Sequence, residues 1–141
     1  MLTNLRQRVA VRDEGGFTLI ELLVVLIIIG VLLAIAVPSY LGFRDRANKR
    51  AAQADVRTAM PSAEAFYSDQ VPTNTYTGIT VPKLTDIDAG LKLSTAAASA
   101  DGTHYCLTKV VDKYTAWVVG PGGDVQVTPD GSAGTTPCAG L

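Results

Sequence analysis

The stretch Phe17–Val37 reads FTLIELLVVLIIIGVLLAIAV, a single apolar run broken by one charge, Glu21. Gly15 and Gly16 precede it and Pro38 follows it. As a helix, at about 1.5 Å per residue, the run spans roughly 31 Å, close to the ~30 Å hydrocarbon core of a bilayer. That is too long for an ordinary buried core helix, so the run predicts a membrane-spanning helix near the N-terminal end. Glu21 is the anomaly. A carboxylate in an insertion segment costs about 2.5–3.5 kcal/mol, and no basic residue within the run offsets it. A cut after Gly16 would give Phe17 a new α-amine. That amine lies one helical turn from Glu21 on the same face, ready to pair within one helix or between neighbours.

The run Gly15-Gly16-Phe17-Thr18-Leu19-Ile20-Glu21-Leu22-Leu23, with Gly30, Pro38 and Tyr40 beyond it, resembles the N-terminal signature of type IV pilins and their pseudopilin relatives. The likeness covers about Gly15 to Ala47, roughly a quarter of the chain. A cleavage site, an acidic position and a proline in one apolar run make it specific. The resemblance implies cleavage by a prepilin peptidase after Gly16 and N-methylation of Phe17. It also implies that Glu21, with Thr18 beside it, guides each subunit into a filament by pairing with a neighbour's N-terminal amine.

The chain then divides into a leader at residues 1–16, a membrane and filament-core helix at 17–38, and a head at 39–141. Arg6, Arg8 and Arg12 make the leader basic. A secretory signal peptide would place its cut after the apolar region; here the cut precedes it, so the anchor is kept. Basic residues flank the anchor on both sides, so charge does not set the orientation. The resemblance implies a cytoplasmic leader, an outer C-terminal part, and later an extracellular filament.

Gly30 and Pro38 mark the softest part of the helix, since Pro38 offers no N–H to the carbonyl of Ala34. Either a kink or an unwound segment satisfies this, and unwinding would let a filament stretch. From Ser39 to about Asp69 the helix continues. Val56, Ala59, Met60, Ala63, Phe66 and Tyr67 recur at spacings of three and four, as one apolar stripe requires. Pro61 predicts a bend there or, alternatively, a break into two helices. The basic cluster Arg44–Arg50 fits three roles: an anionic lipid surface, acidic groups of neighbouring subunits, or a solvated face. The aromatic residues Tyr40, Phe43, Phe66 and Tyr67 read as helix packing.

Val71–Gly102, punctuated by Pro72, Asn74, Gly78, Pro82 and Gly90, reads as irregular. A short strand is expected near Leu91-Lys92-Leu93, and Ser94–Ala100 is expected to be an exposed loop. Three β-rich runs follow: Thr103–Val111, Tyr114–Gly120 and Asp124–Thr128. Short turns at Asp112-Lys113 and Pro121-Gly122-Gly123 predict an antiparallel meander. Tyr105, Leu107 and Lys109 alternate with Cys106, Thr108 and Val110, and Ala116 and Val118 oppose Trp117 and Val119. Either face can cover the helix stripe. The fold class is thus α+β: a long N-terminal helix on a small antiparallel sheet of three or four strands.

Cys106 and Cys138 are the two cysteines of the chain. Outside the membrane they are expected to pair and tie down the Gly-, Thr- and Pro-rich tail. Family members often carry such a bridge. No catalytic, metal or cofactor constellation is legible. His104 is the one histidine, Asp86-Ile87-Asp88 lacks the rest of a calcium loop, and no glycine loop leads into a helix. A net charge of −1 and 6% aromatic residues carry no nucleic-acid signature. The expected partners are other copies of the chain, the cytoplasmic membrane, prepilin peptidase and the pilus assembly machinery. Adhesion and twitching motility are the implied roles of a pilin. A pseudopilin of a type II-like secretion or competence system is the alternative, and a signal-anchored sensor or enzyme a third reading.

Overall fold

The computed structural model describes residues 16–129, 137, 138 and 141. Most of the expected leader and much of the tail after Pro129 lie outside the described residues. The chain falls into two compact units, one ending at Tyr40 and one running from Leu41 to Leu141. The first helix, α1 (Leu19–Asp69), contributes to both. It is assigned as helix without interruption through Gly30, Pro38 and Pro61, so the alternative of two helices divided at Met60-Pro61 does not hold. A proline inside a helix removes one backbone hydrogen bond but leaves the neighbouring ones in place.

In the unit ending at Tyr40 every described residue is exposed. The helix here is long and apolar enough to cross a membrane, and none of its apolar window is buried.

The second unit has a core. Ala52, Val56, Ala59, Ala63 and Phe66 form the buried stripe of α1, with Met60 and Tyr67 partly buried beside it. Tyr40 and Phe43 stay exposed and outside that packing, so only half of the aromatic set read from the sequence joins the core. They precede the first buried stripe residue, Ala52, by about two and a half to three and a half helical turns. Small residues at 52, 59 and 63 leave room for a close sheet, and Phe66 supplies the bulk.

The sheet is an antiparallel meander in the order β1 (Thr95–Ala98), β2 (Tyr105–Val111), β3 (Tyr114–Gly120), β4 (Gln126–Pro129). Its core face carries Tyr105 and Leu107 from β2 and Ala116 and Val118 from β3, completed by Ala96, Ala98 and Val127. Register follows from the pairs Leu107↔Val118 and Tyr105↔Gly120, which the side-chain alternation of strands requires to share a face. The Tyr105 ring lies across Gly120, where any added Cβ would collide with it. Tyr67, Tyr76 and Tyr105 then pack in series, the first pair tilted and the second edge-to-face, with ring centroids 4.7 and 4.8 Å apart. The Tyr76 hydroxyl donates to Glu64 Oε2 at 2.8 Å. Burial, then this bond, pushes its ionisation well above the ordinary tyrosine range.

Two expectations for Val71–Gly102 are corrected. Leu91-Lys92-Leu93 is not a strand; Leu91 is a buried anchor, and Leu93 packs on the core from irregular backbone. The stretch expected as a loop contains β1 instead. Its Thr-Ala-Ala-Ala sequence has weak strand propensity, but the open edge of β2 supplies partners at Thr95↔Thr108 through Ala98↔Tyr105. Ser94 braces the entry, accepting Val110 N–H on Oγ at 3.0 Å and donating its own N–H to Thr108 O at 2.8 Å. A short helix, α2 (Val81–Ile87), also stands in this region. Pro82 begins it rather than breaking the chain, because the first turn of a helix needs no N–H there.

The tip of the β2–β3 hairpin is fastened to α1. Asp112 holds a left-handed backbone (φ +55°) in the two-residue turn. Its Oδ2 accepts from Asn48 Nδ2 at 3.0 Å and lies 3.7 Å from Arg44 Nη2. Lys113 Nζ donates to Asp45 Oδ2 at 2.7 Å, and that bond raises the ammonium above its usual range. Lys109 and Asp55 pair at 3.6 Å further along. Exposed pairs contribute little stability one by one; here they fix which side of α1 faces the hairpin. Cys106 points to the opposite side of the sheet from Tyr105 and Leu107 and is bridged to Cys138, with Cα atoms 5.7 Å apart.

Candidate functional site

The apolar helix begins with a reciprocal cap. Thr18 precedes the first helical residue, Leu19, and Glu21 stands three positions after Thr18. The Thr18 N–H donates to Glu21 Oε2 at 2.9 Å and the Thr18 hydroxyl to the same oxygen at 2.7 Å. In return the Glu21 N–H donates to Thr18 Oγ1 at 3.3 Å. This is a capping box, which satisfies two of the N–H groups that a helix start leaves open. It also places the carboxylate at the positive end of the helix dipole, where negative charge is favoured.

Three consequences follow for Glu21. The box holds its carboxylate in the first turn, beside the residue that a cut after Gly16 would make the N-terminus. Two of the three bonds end on Oε2, both from Thr18; among the described residues Oε1 takes no hydrogen bond. And the carboxylate opens on a shallow groove of about 340 Å³ along Phe17, Ile20, Glu21, Val24 and Val25, otherwise apolar. Phe17 itself is 88% exposed. The arrangement suits a second apolar helix that brings a positive charge to Oε1.

Gly16, Phe17, Thr18 and Glu21 therefore come together as one site, while Gly15 lies outside the described residues. Gly30 and Pro38 both fall within α1, and around Gly30 there is open space where a side chain would stand. Cys106 and Cys138 belong to the other unit and are joined. The cap was legible as Thr-x-x-Glu at the head of an apolar run, a signature that reading Glu21 only as a membrane anomaly passes over. Among the described residues no cluster of His, Cys, Asp or Glu is placed to hold a metal ion.

The chain is similar in sequence to known proteins. Residues 11–37 match the family model described as the prokaryotic N-terminal methylation motif. The type IV wide pilus major component PilA4 of Thermus thermophilus is 34% identical over 111 residues, covering 75% of this chain and 80% of that protein. The type IV major pilin protein PilA of Myxococcus xanthus is 38% identical over 55 residues, 39% of this chain and 25% of that protein. The type II secretion system core protein G of Escherichia coli is 43% identical over 58 residues, 41% of this chain and 39% of that protein. No solved structure matches the chain significantly. With a relative matched over most of both lengths, a methylation motif on the apolar run and an antiparallel sheet on the helix that continues it, the chain belongs to the type IV pilin family and is a structural, non-enzymatic protein.

Proposed function

We propose that this chain is the filament-forming subunit of a type IV pilus, held in the cytoplasmic membrane as a precursor and released into a surface filament for adhesion and motility. The observation that carries this reading is the wholly exposed apolar helix with one half-satisfied carboxylate at its start. Prepilin peptidase cuts between Gly16 and Phe17 and the new amine is methylated. The amine of one subunit then meets Oε1 of Glu21 in a neighbour. An unpaired charge inside a helix bundle is costly, so pairing selects one axial register. Each contact joins two different patches, and a contact of that kind whose rotation does not close builds an open helical polymer. Gly30 and Pro38 give the bundled helix its compliant segment.

The pseudopilin reading shares the anchor and the cleavage site. The filament-pilin reading is supported over it by the extent of likeness: the match with the wide-pilus component covers 80% of that protein, against 39% for the secretion core protein of Escherichia coli. Peptide mass spectrometry on filaments sheared from cells separates the two. Abundant chain beginning at N-methyl-Phe17 in the sheared fraction is the expected result. Chain processed at Phe17 but retained in the membrane fraction would transfer the protein to the pseudopilin class. Chain still beginning near Met1 would overturn both.

A further inference from the structure

Within the head, α1 is attached by two kinds of contact, and they change over at Ala52. The inner face of the helix runs through Gly42, Asp45, Asn48, Ala52, Val56 and Ala59, at spacings of three and four. From Ala52 onward it is apolar and sealed in the core. Over residues 41–51 no side chain is buried, and the face is polar where it meets the β2–β3 turn. There Asn48 Nδ2 donates to Asp112 Oδ2 at 3.0 Å, and Arg44 Nη2 lies 3.7 Å from the same oxygen. Lys113 Nζ donates to Asp45 Oδ2 at 2.7 Å and stands 5.6 Å from the centre of the Tyr114 ring. The four charged side chains are between 38% and 57% exposed. The next pair along, Lys109 with Asp55 beside the buried stripe, is 19% and 31% exposed.

We infer that residues 41–51 of α1 and the turn at Asp112-Lys113 form a catch set by ionic strength, which opens as one local unit while the apolar core under residues 52–66 stays closed. The catch lies wholly within the head and does not depend on how subunits assemble. Its two charge pairs alternate in sign, Arg44 with Asp112 and Asp45 with Lys113. Exchanging the partners would set like charges together, so the catch closes in one register. The left-handed backbone of Asp112 belongs to the tight turn that presents both side chains to the helix. Each exposed pair contributes little, and a short helical stretch without packing holds poorly by propensity alone. Few buried apolar contacts and exposed polar bonds are the marks of a segment that opens locally. Salt separates the two attachments. The screening length falls from about 10 Å at 0.1 M to about 3 Å at 1 M, the scale of these contacts. Apolar burial draws on the cohesion of water rather than on charge, and salt does not screen it.

Hydrogen–deuterium exchange on the full chain in phosphatidylcholine nanodiscs reads both attachments at once. Residues 44–51 and 111–114 report the catch, and residues 56–66 and 105–107 report the core and correct for any direct effect of salt on exchange. Between about 20 mM and 1 M sodium chloride, exchange at the catch is expected to quicken about fivefold or more, while the core stays within about twofold. Asp112→Asn with Lys113→Gln removes both charges of the turn, and asparagine still accepts the left-handed backbone. At low salt this variant is expected to exchange at the catch as the wild type does at high salt, with no further response to salt. A wild-type catch that ignores salt overturns the inference. So does a core that quickens in step with the catch, since the head then opens as one piece. A salt response that survives in the double variant overturns it as well, because the charges of the turn are then not its source. The wild-type salt series decides by itself should the variant fail to fold.

Discussion

The two units of this chain solve the burial of apolar side chains in opposite ways. Up to Tyr40, leucine, isoleucine and valine face outward on every side, and not one described residue is buried. From Leu41 on, the same helix hides a narrow stripe beneath a sheet and leaves its other sides charged. One is a surface waiting for lipid or for other copies; the other carries its own core. Changes in the first unit should therefore alter assembly without touching the stability of the head, and changes in the second should do the reverse.

The largest break of that kind is Glu21→Ala. Filament yield is expected to fall by an order of magnitude or more, since register is lost rather than weakened. Insertion into the membrane and the melting temperature of the head stay at wild-type values. Normal filament yield from this variant would refute the role given to Glu21. The converse change is Leu107→Ala, which opens a cavity beneath α1. It should cost the head about 2–5 kcal/mol by denaturant titration, with membrane insertion unchanged.

Next in size is the bridge between Cys106 and Cys138. Its 32-residue separation predicts a loss of about 3–4 kcal/mol when both are changed to serine, in the chain-entropy model. Thermal melting with and without reductant reads this, and reductant should leave the double variant unaffected. The finest test concerns acid. Hydrogen bonds from the Ser99 hydroxyl first, then from the Thr103 N–H and hydroxyl, hold Asp101 down to about 2, against an ordinary value of 3.8. A carboxyl depressed on folding contributes stability above its unfolded value and loses it as pH falls. The urea midpoint of the head should carry a component that is complete above pH 3.8 and disappears towards pH 2. In Asp101→Asn that component is absent from the same window.

The two units also differed in how plainly the sequence announced them. The apolar run needed only its length, and the meander was legible because β-branched and aromatic runs stood on either side of short turns. The stripe on α1 was visible in its spacing. What escaped was structure made by partners rather than by propensity. β1 is Thr-Ala-Ala-Ala, a strand because β2 offers it an edge. α2 hid behind Pro82, a residue that stops helices in their interior but starts them at the first turn. Which sheet face met the helix was undecidable while both faces of β2 looked half-apolar. Tyr105 and Leu107 are inward, and the opposite side is occupied at Cys106 by the bridge to Cys138. The fastening of Asp112 and Lys113 to Arg44, Asn48 and Asp45 joins residues more than sixty positions apart, beyond the reach of any local pattern.

The cap at the start of the apolar helix has a further meaning in the language of polymer chemistry. Thr18 occupies Oε2 of Glu21 and leaves Oε1 open. In the assembly proposed above, a processed subunit would offer one carboxylate charge and, at Phe17, one amine. It would be a bifunctional monomer with a single complementary end of each kind, and such a monomer adds in linear sequence and does not branch.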